Sequence, residues 1–149
     1  MKSLYNPQSL KEVLQRIDKI QKDQKPAWGK MNASQMMEHC ARIFDYGTGK
    51  DKPKRMFLGY ILGPFVKSQY YNDKPWNHGT PTSKQYTVTE MPEFERTRNR
   101  LTSLITEFST GGHSKCTSHP SPFFGHLSPE QHGLGMYKHL DHHLMQFEV

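Results

Sequence analysis

The chain has 149 residues and a mass of 17.4 kDa, is 34% apolar and 23% charged, and carries a formal charge of +6 with a mean hydropathy of −0.85. That length suits one domain spanning residues 1–149, with eight Phe, seven Tyr and two Trp available for a core. The composition excludes a membrane span, since the longest apolar stretch, Met56 to Val66, is interrupted by Gly59, Gly63 and Pro64.

The first helix is predicted from Ser9 to Lys22, where Leu10, Val13, Leu14, Ile17 and Ile20 recur at three- and four-residue steps. Ser9 would cap it with Glu12 completing a capping box, and Lys25-Pro26 would end it. A second helix is predicted from Ala33 to Tyr46, capped by Asn32 or Ser34. Met36, Met37, Cys40, Ile43 and Phe44 form its apolar side, and Gly47 and Gly49 its stop. Arg55 to Leu62 reads as a short helix that Gly63-Pro64 breaks and Phe65 to Tyr71 resumes. Residues Asn72 to Lys84 read as a long loop, and Gln85 to Thr89 as a brief extended piece. Pro92 suits the first turn of a third long helix that reaches Ser109, with Gly111-Gly112 as its stop and a second loop from Gly112 to Leu127. The last helix has the strongest start, with Ser128 as cap, Pro129 in the first turn and Gln131 completing a capping box, and it continues to Phe147. Four apolar-striped helices without strand patterning predict an all-α helix bundle with two long inter-helix loops.

Chemistry concentrates in the nine histidines. On the last helix, Leu134, Tyr137, Leu140, Leu144 and Phe147 make the apolar stripe, and His139 and His143 lie on one flank of it, one turn apart. Two imidazoles at i and i+4 can share a metal ion. His39 flanks the stripe of the second helix, so packing the two helices side by side completes a three-histidine site with an open position for water or substrate. The competing reading of such a pair is solvated polar surface. Gln35, Tyr137 and Gln146 stand near the ligands in helical spacing and are candidates for the surrounding pocket. Gln146 could orient a histidine, whereas Tyr137 lies on the apolar stripe and suits the core. Glu38 and Asp141 are candidate bases that face water, and His142 points to solvent. His78, His113, His119 and His126 fall in loops and read as solvated, Trp28 and Trp76 as lids on the bundle ends, and Cys40 as a small buried hydrophobe. Two cysteines, Cys40 and Cys116, make no disulfide framework, and MKSLYNPQSLKE has no secretory h-region, so the expectation is a soluble, cytoplasmic protein. The basic excess lacks an aromatic-basic nucleic-acid motif and reads as solvated surface rather than as a nucleic-acid interface.

Several stretches carry a family resemblance. Pro26-Ala27-Trp28-Gly29-Lys30-Met31 and Gln35-Met36-Met37-Glu38-His39-Cys40 resemble the opening of DinB-like proteins of the DUF1569 subgroup. Pro122-Phe123-Phe124-Gly125, Leu127-Ser128-Pro129-Glu130-Gln131 and Tyr137-Lys138-His139-Leu140-Asp141-His142-His143-Leu144 resemble its closing signature. One departure is His132, where such proteins often carry Trp. The resemblance implies an antiparallel four-helix bundle holding a divalent metal, Zn2+ or Ni2+, on His39, His139 and His143. By analogy with the wider superfamily it implies a metal-dependent transferase using a low-molecular-weight thiol as co-substrate, or a hydrolase, acting on a small molecule. The alternative is a metal- or ligand-binding, stress-associated bundle without turnover. A homodimer is a further implied assembly.

Overall fold

The computed structural model describes residues 1–80 and 82–149; Pro81, inside the expected loop 72–84, lies outside the described residues. Among the described residues the regular structure is helical, apart from one isolated antiparallel bridge between Ser121 and Gly125.

Helix α1 spans Pro7–Asp18. Asn6, not Ser9, is its cap: the Asn6 side chain accepts from the Gln8 backbone N–H at 2.8 Å, and Pro7 occupies the first turn, where a missing N–H costs nothing. Ser9 is buried inside the helix, and Val13 and Ile17 face the core. The helix stops at Asp18, short of Lys22, and the chain turns so that Ile20 is fully buried beyond it. Helix α2 spans Ala33–Gly47 and starts with a reciprocal box: Gln35 N–H donates to the Asn32 side chain at 2.9 Å, and Asn32 N–H to the Gln35 side chain at 3.1 Å.

Helices α3, Phe57–Ile61, and α4, Gly63–Tyr71, are short. The expected break between two short helices falls at Leu62, and Gly63-Pro64 belongs to the first turn of α4, where proline is tolerated. The expected extended piece at 85–89 begins instead as a 3₁₀ turn, Lys84–Tyr86. Helix α5 spans Phe94–Lys115 with Glu93 as cap, accepting from the Glu95 and Arg96 N–H groups, so Pro92 lies outside the first turn. Gly112 leaves the helical region at φ 61° and ψ −160°, so the expected stop is present as a kink and one more turn follows it. Helix α6 spans Pro129–Gln146 with the Ser128/Gln131 capping box as expected.

The four longer helices α1, α2, α5 and α6 share one core, to which Ile17, Met37, Phe44, Ile105, Phe108, Met136 and Leu140 contribute fully or almost fully buried side chains. Phe44 of α2 meets Phe108 of α5 edge-to-face, with centroids 5.5 Å apart. Two contacts fix how α2 lies on α6. His39 meets His139, and Tyr46 meets His132. A seven-residue step up α2 matches a seven-residue step down α6, so the two helices run antiparallel. Among the described residues no helix is long and apolar enough to cross a membrane.

Candidate metal centre

The α2–α6 seam brings together the three histidines singled out from the sequence. One ring nitrogen of each of His39, His139 and His143 lies within 4.8 Å of those of the other two, and all three residues are buried. His39 Nε2 and His139 Nε2 are 3.2 Å apart. Two nitrogens coordinated tetrahedrally at zinc distances stand about 3.3 Å apart, so this spacing suits a shared ion.

Hydrogen bonds set two of the three tautomers. The Tyr86 backbone carbonyl, 2.9 Å from His39 Nδ1, can only accept, so Nδ1 carries the proton and Nε2 keeps its lone pair. On the other side Gln146 Nε2 donates to the Trp28 carbonyl at 2.6 Å. That orients the amide so that Oε1 faces His143 Nδ1 at 2.9 Å. His143 must then donate from Nδ1, leaving its Nε2 lone pair free. Partners of this kind orient ligating imidazoles and raise their basicity. His139 Nδ1, by contrast, is buried with no hydrogen-bond partner among the described residues.

Burial also sets protonation. Desolvation lowers all three pKa values: His143 falls to about 3, and His139, which also feels its two imidazole neighbours and His142, lies well below the ordinary range. Neutral imidazoles keep a ring lone pair for a metal: His39 Nε2 offers one toward His139 Nε2, which can donate to it or, with its proton on Nδ1, ligate beside it. The donor set therefore fits a divalent ion that accepts nitrogen ligands.

A sequence model of the family described as "Protein of unknown function (DUF1569)" matches residues 2–149. The chain belongs to this family. No curated protein and no solved structure matches it.

Other candidates of this DUF1569 protein take different places. Gln146 is buried and holds His143, the orienting role anticipated for it. Gln35 is taken up by the α2 cap and by a bond from its Nε2 to the Glu90 carbonyl at 3.1 Å. Tyr137 turns to α1, where its hydroxyl donates to Glu12 at 3.0 Å, as its apolar stripe suggested. Glu38 and Asp141 are not free acids facing water: Asp141 pairs with Arg16 at 2.6 Å, and Glu38 with Arg42 at 3.1 Å and Arg100 at 3.0 Å.

The aromatic surroundings depart most from expectation. His142 is half-buried rather than solvent-directed, with the Trp28 and Trp76 rings 5.8 and 5.7 Å from it. Both tryptophans stand beside the histidine cluster, Trp28 at the C-terminal end of α6, where its carbonyl accepts from Gln146. Trp28 stacks on His78 at 3.7 Å and 6°, and Trp76 sits 5.8 Å from His139. Lys138 and Trp76 both donate to the Gln69 carbonyl, which ties the start of the 72–84 loop to α6. The Tyr86 carbonyl was invisible to a reading of side chains, because a backbone acceptor leaves no residue-type signal.

Proposed function

We propose that this DUF1569 protein is a metal-dependent enzyme of DinB-like type, with a divalent ion on His39, His139 and His143. The observation that carries this reading is the convergence of three buried, neutral imidazoles, two of them held in the ligating tautomer by dedicated acceptors. The antiparallel seating of α2 on α6 supports an antiparallel four-helix bundle of the DinB-like kind, in a single domain. When bound, zinc or nickel would supply Lewis-acid chemistry, lowering the pKa of a water or a low-molecular-weight thiol enough for the nucleophilic form to be present near neutral pH.

The chain's own residues have defined tasks in this scheme. Tyr86 and Gln146 hold His39 and His143 in orientation. Trp28, Trp76 and His142 present an apolar, aromatic wall that limits water beside the cluster, which strengthens electrostatic effects there. Among the described residues no carboxylate hydrogen-bonds to the three histidines, so a nucleophile activated by the ion itself, rather than by a side-chain base, is the reaction class that fits. The test is to screen the zinc- and nickel-loaded protein for conjugation of low-molecular-weight thiols to electrophiles and for hydrolysis of activated esters and amides, alongside His39→Ala. Metal-dependent turnover that His39→Ala abolishes supports the enzyme. Tight metal binding without turnover across the screen favours a binding protein instead.

A further inference from the structure

The α3–α4 segment, two short helices joined through Leu62, reverses the usual amphipathic order along most of its length. Its face toward the Pro122–Phe123 backbone is glycine. A Cβ at Gly59 would stand 2.8 Å from the Phe123 carbonyl oxygen, and one at Gly63 would lie closer still, so the segment is pressed onto that backbone by positions that have no side chain. Tyr70, near the end of α4, is buried, but the large apolar groups from Phe57 to Phe65 are left outside this contact. Phe57 and Phe65 are 80% and 81% exposed, and Leu58, Tyr60, Ile61 and Leu62 are 42–59% exposed. Six large apolar side chains within nine residues exceed what scattered surface hydrophobics explain.

Basic residues predominate around this patch. From residue 52 to 72 the chain carries Lys52, Lys54, Arg55 and Lys67 and no acidic residue, with Asp51 and Asp73 flanking the stretch. Lys52 and Lys54 are exposed and make no ion pair among the described residues. A twofold pairing of two copies through this patch would bring the two sets of cations together. The exposed groups also project from most of the circumference of α3, a shape suited to a fluid apolar phase more than to a fixed protein face. At five and nine residues the helices are too short to cross a bilayer, but a basic, aromatic-rich helical segment can lie in its interface.

We propose that the α3–α4 segment docks the protein on anionic lipid surfaces, with Phe57 and Phe65 entering the headgroup–acyl boundary and Lys52 and Lys54 meeting lipid phosphates. The experiment is co-sedimentation of the full chain with vesicles of phosphatidylcholine mixed with phosphatidylglycerol, and with phosphatidylcholine alone, at low and high salt. Wild type is expected to bind the anionic vesicles at least about tenfold more tightly than the neutral ones, with loss at high salt. Phe57→Ser/Phe65→Ser, and separately Lys52→Glu/Lys54→Glu, are each expected to weaken binding by about tenfold or more while circular dichroism stays unchanged. Equal binding to both vesicle types, no binding, or binding indifferent to both double variants would overturn the proposal. So would a stable dimer by light scattering that the phenylalanine variant disperses, since the patch would then belong to a second copy.

Discussion

The α2–α6 seam seats buried histidines at two levels, two helical turns apart, and treats them differently. At the lower level His39, His139 and His143 crowd together, and a carbonyl or a carboxamide oxygen fixes the outer nitrogen of two of them. Among the described residues, His132 at the upper level stands without another imidazole in contact, and its Nδ1 has no partner. Its Nε2 lies 3.4 Å from the Tyr46 hydroxyl, and that hydroxyl lies 3.1 Å from the His119 carbonyl. Burial lowers both kinds of histidine, but the lower level brings three ring nitrogens within 4.8 Å of one another. A buried imidazole is thus not by itself a ligand; convergence together with a fixed tautomer separates a coordinating cluster from a packing residue.

This contrast orders the expected effects. The largest is on metal-linked stability. Zinc at a thousandfold excess over its dissociation constant should stabilise the wild-type fold by about 4 kcal/mol. His143→Ala should lose nearly all of that gain, while His132→Phe keeps it, as read by thermal melts with and without chelator. Equal gains in wild type and His143→Ala would erase the distinction between the two levels.

The next effect is in orientation. Gln146→Leu removes the acceptor of His143 Nδ1, and zinc affinity by competition titration should fall about 10- to 100-fold. An unchanged affinity would mean that tautomer control plays no part.

At the upper level the effect is on pH dependence. Burial holds His132 at about 4 in the folded protein, against about 6.5 in the unfolded chain. The unfolded state therefore takes up the proton first. The stability associated with neutral His132 is complete above about pH 6.5 and is lost as pH falls toward 4, by up to about 3 kcal/mol. Urea unfolding of the metal-free proteins should show a shallower loss over this window in His132→Phe than in wild type; parallel curves would contradict the assignment.

The smallest effect is at Asp141, which sits between ligand positions in sequence but pairs with Arg16 in space. Asp141→Asn should cost no more than about 1 kcal/mol and leave metal content unchanged. A lost metal would bring this carboxylate into the site.

The sequence made the helices and the triad legible for the same reason, which is periodicity. A 3.6-residue repeat tells which side chains share a face, and His39, His139 and His143 lie beside apolar stripes that had to be buried against each other. What it could not supply were the groups without a periodic signature. The Tyr86 carbonyl is backbone. Trp28 and Trp76 reach the cluster from loops, where no repeat predicts direction. Asn6-Pro7 is as good a start signal for α1 as Ser9, and only packing decides between them. Helical phase alone turns His142 away from the stripe toward solvent, whereas the loops that cover it come from elsewhere in the chain.

Inductively coupled plasma mass spectrometry of the protein purified without added chelator, beside His139→Ala and His132→Phe, bears on the coordination site itself. Close to one divalent ion per chain is expected in wild type and in His132→Phe, and close to none in His139→Ala. Metal retained by the His139→Ala variant, or absent from wild type even after reconstitution with zinc or nickel, would contradict a coordination site on this seam.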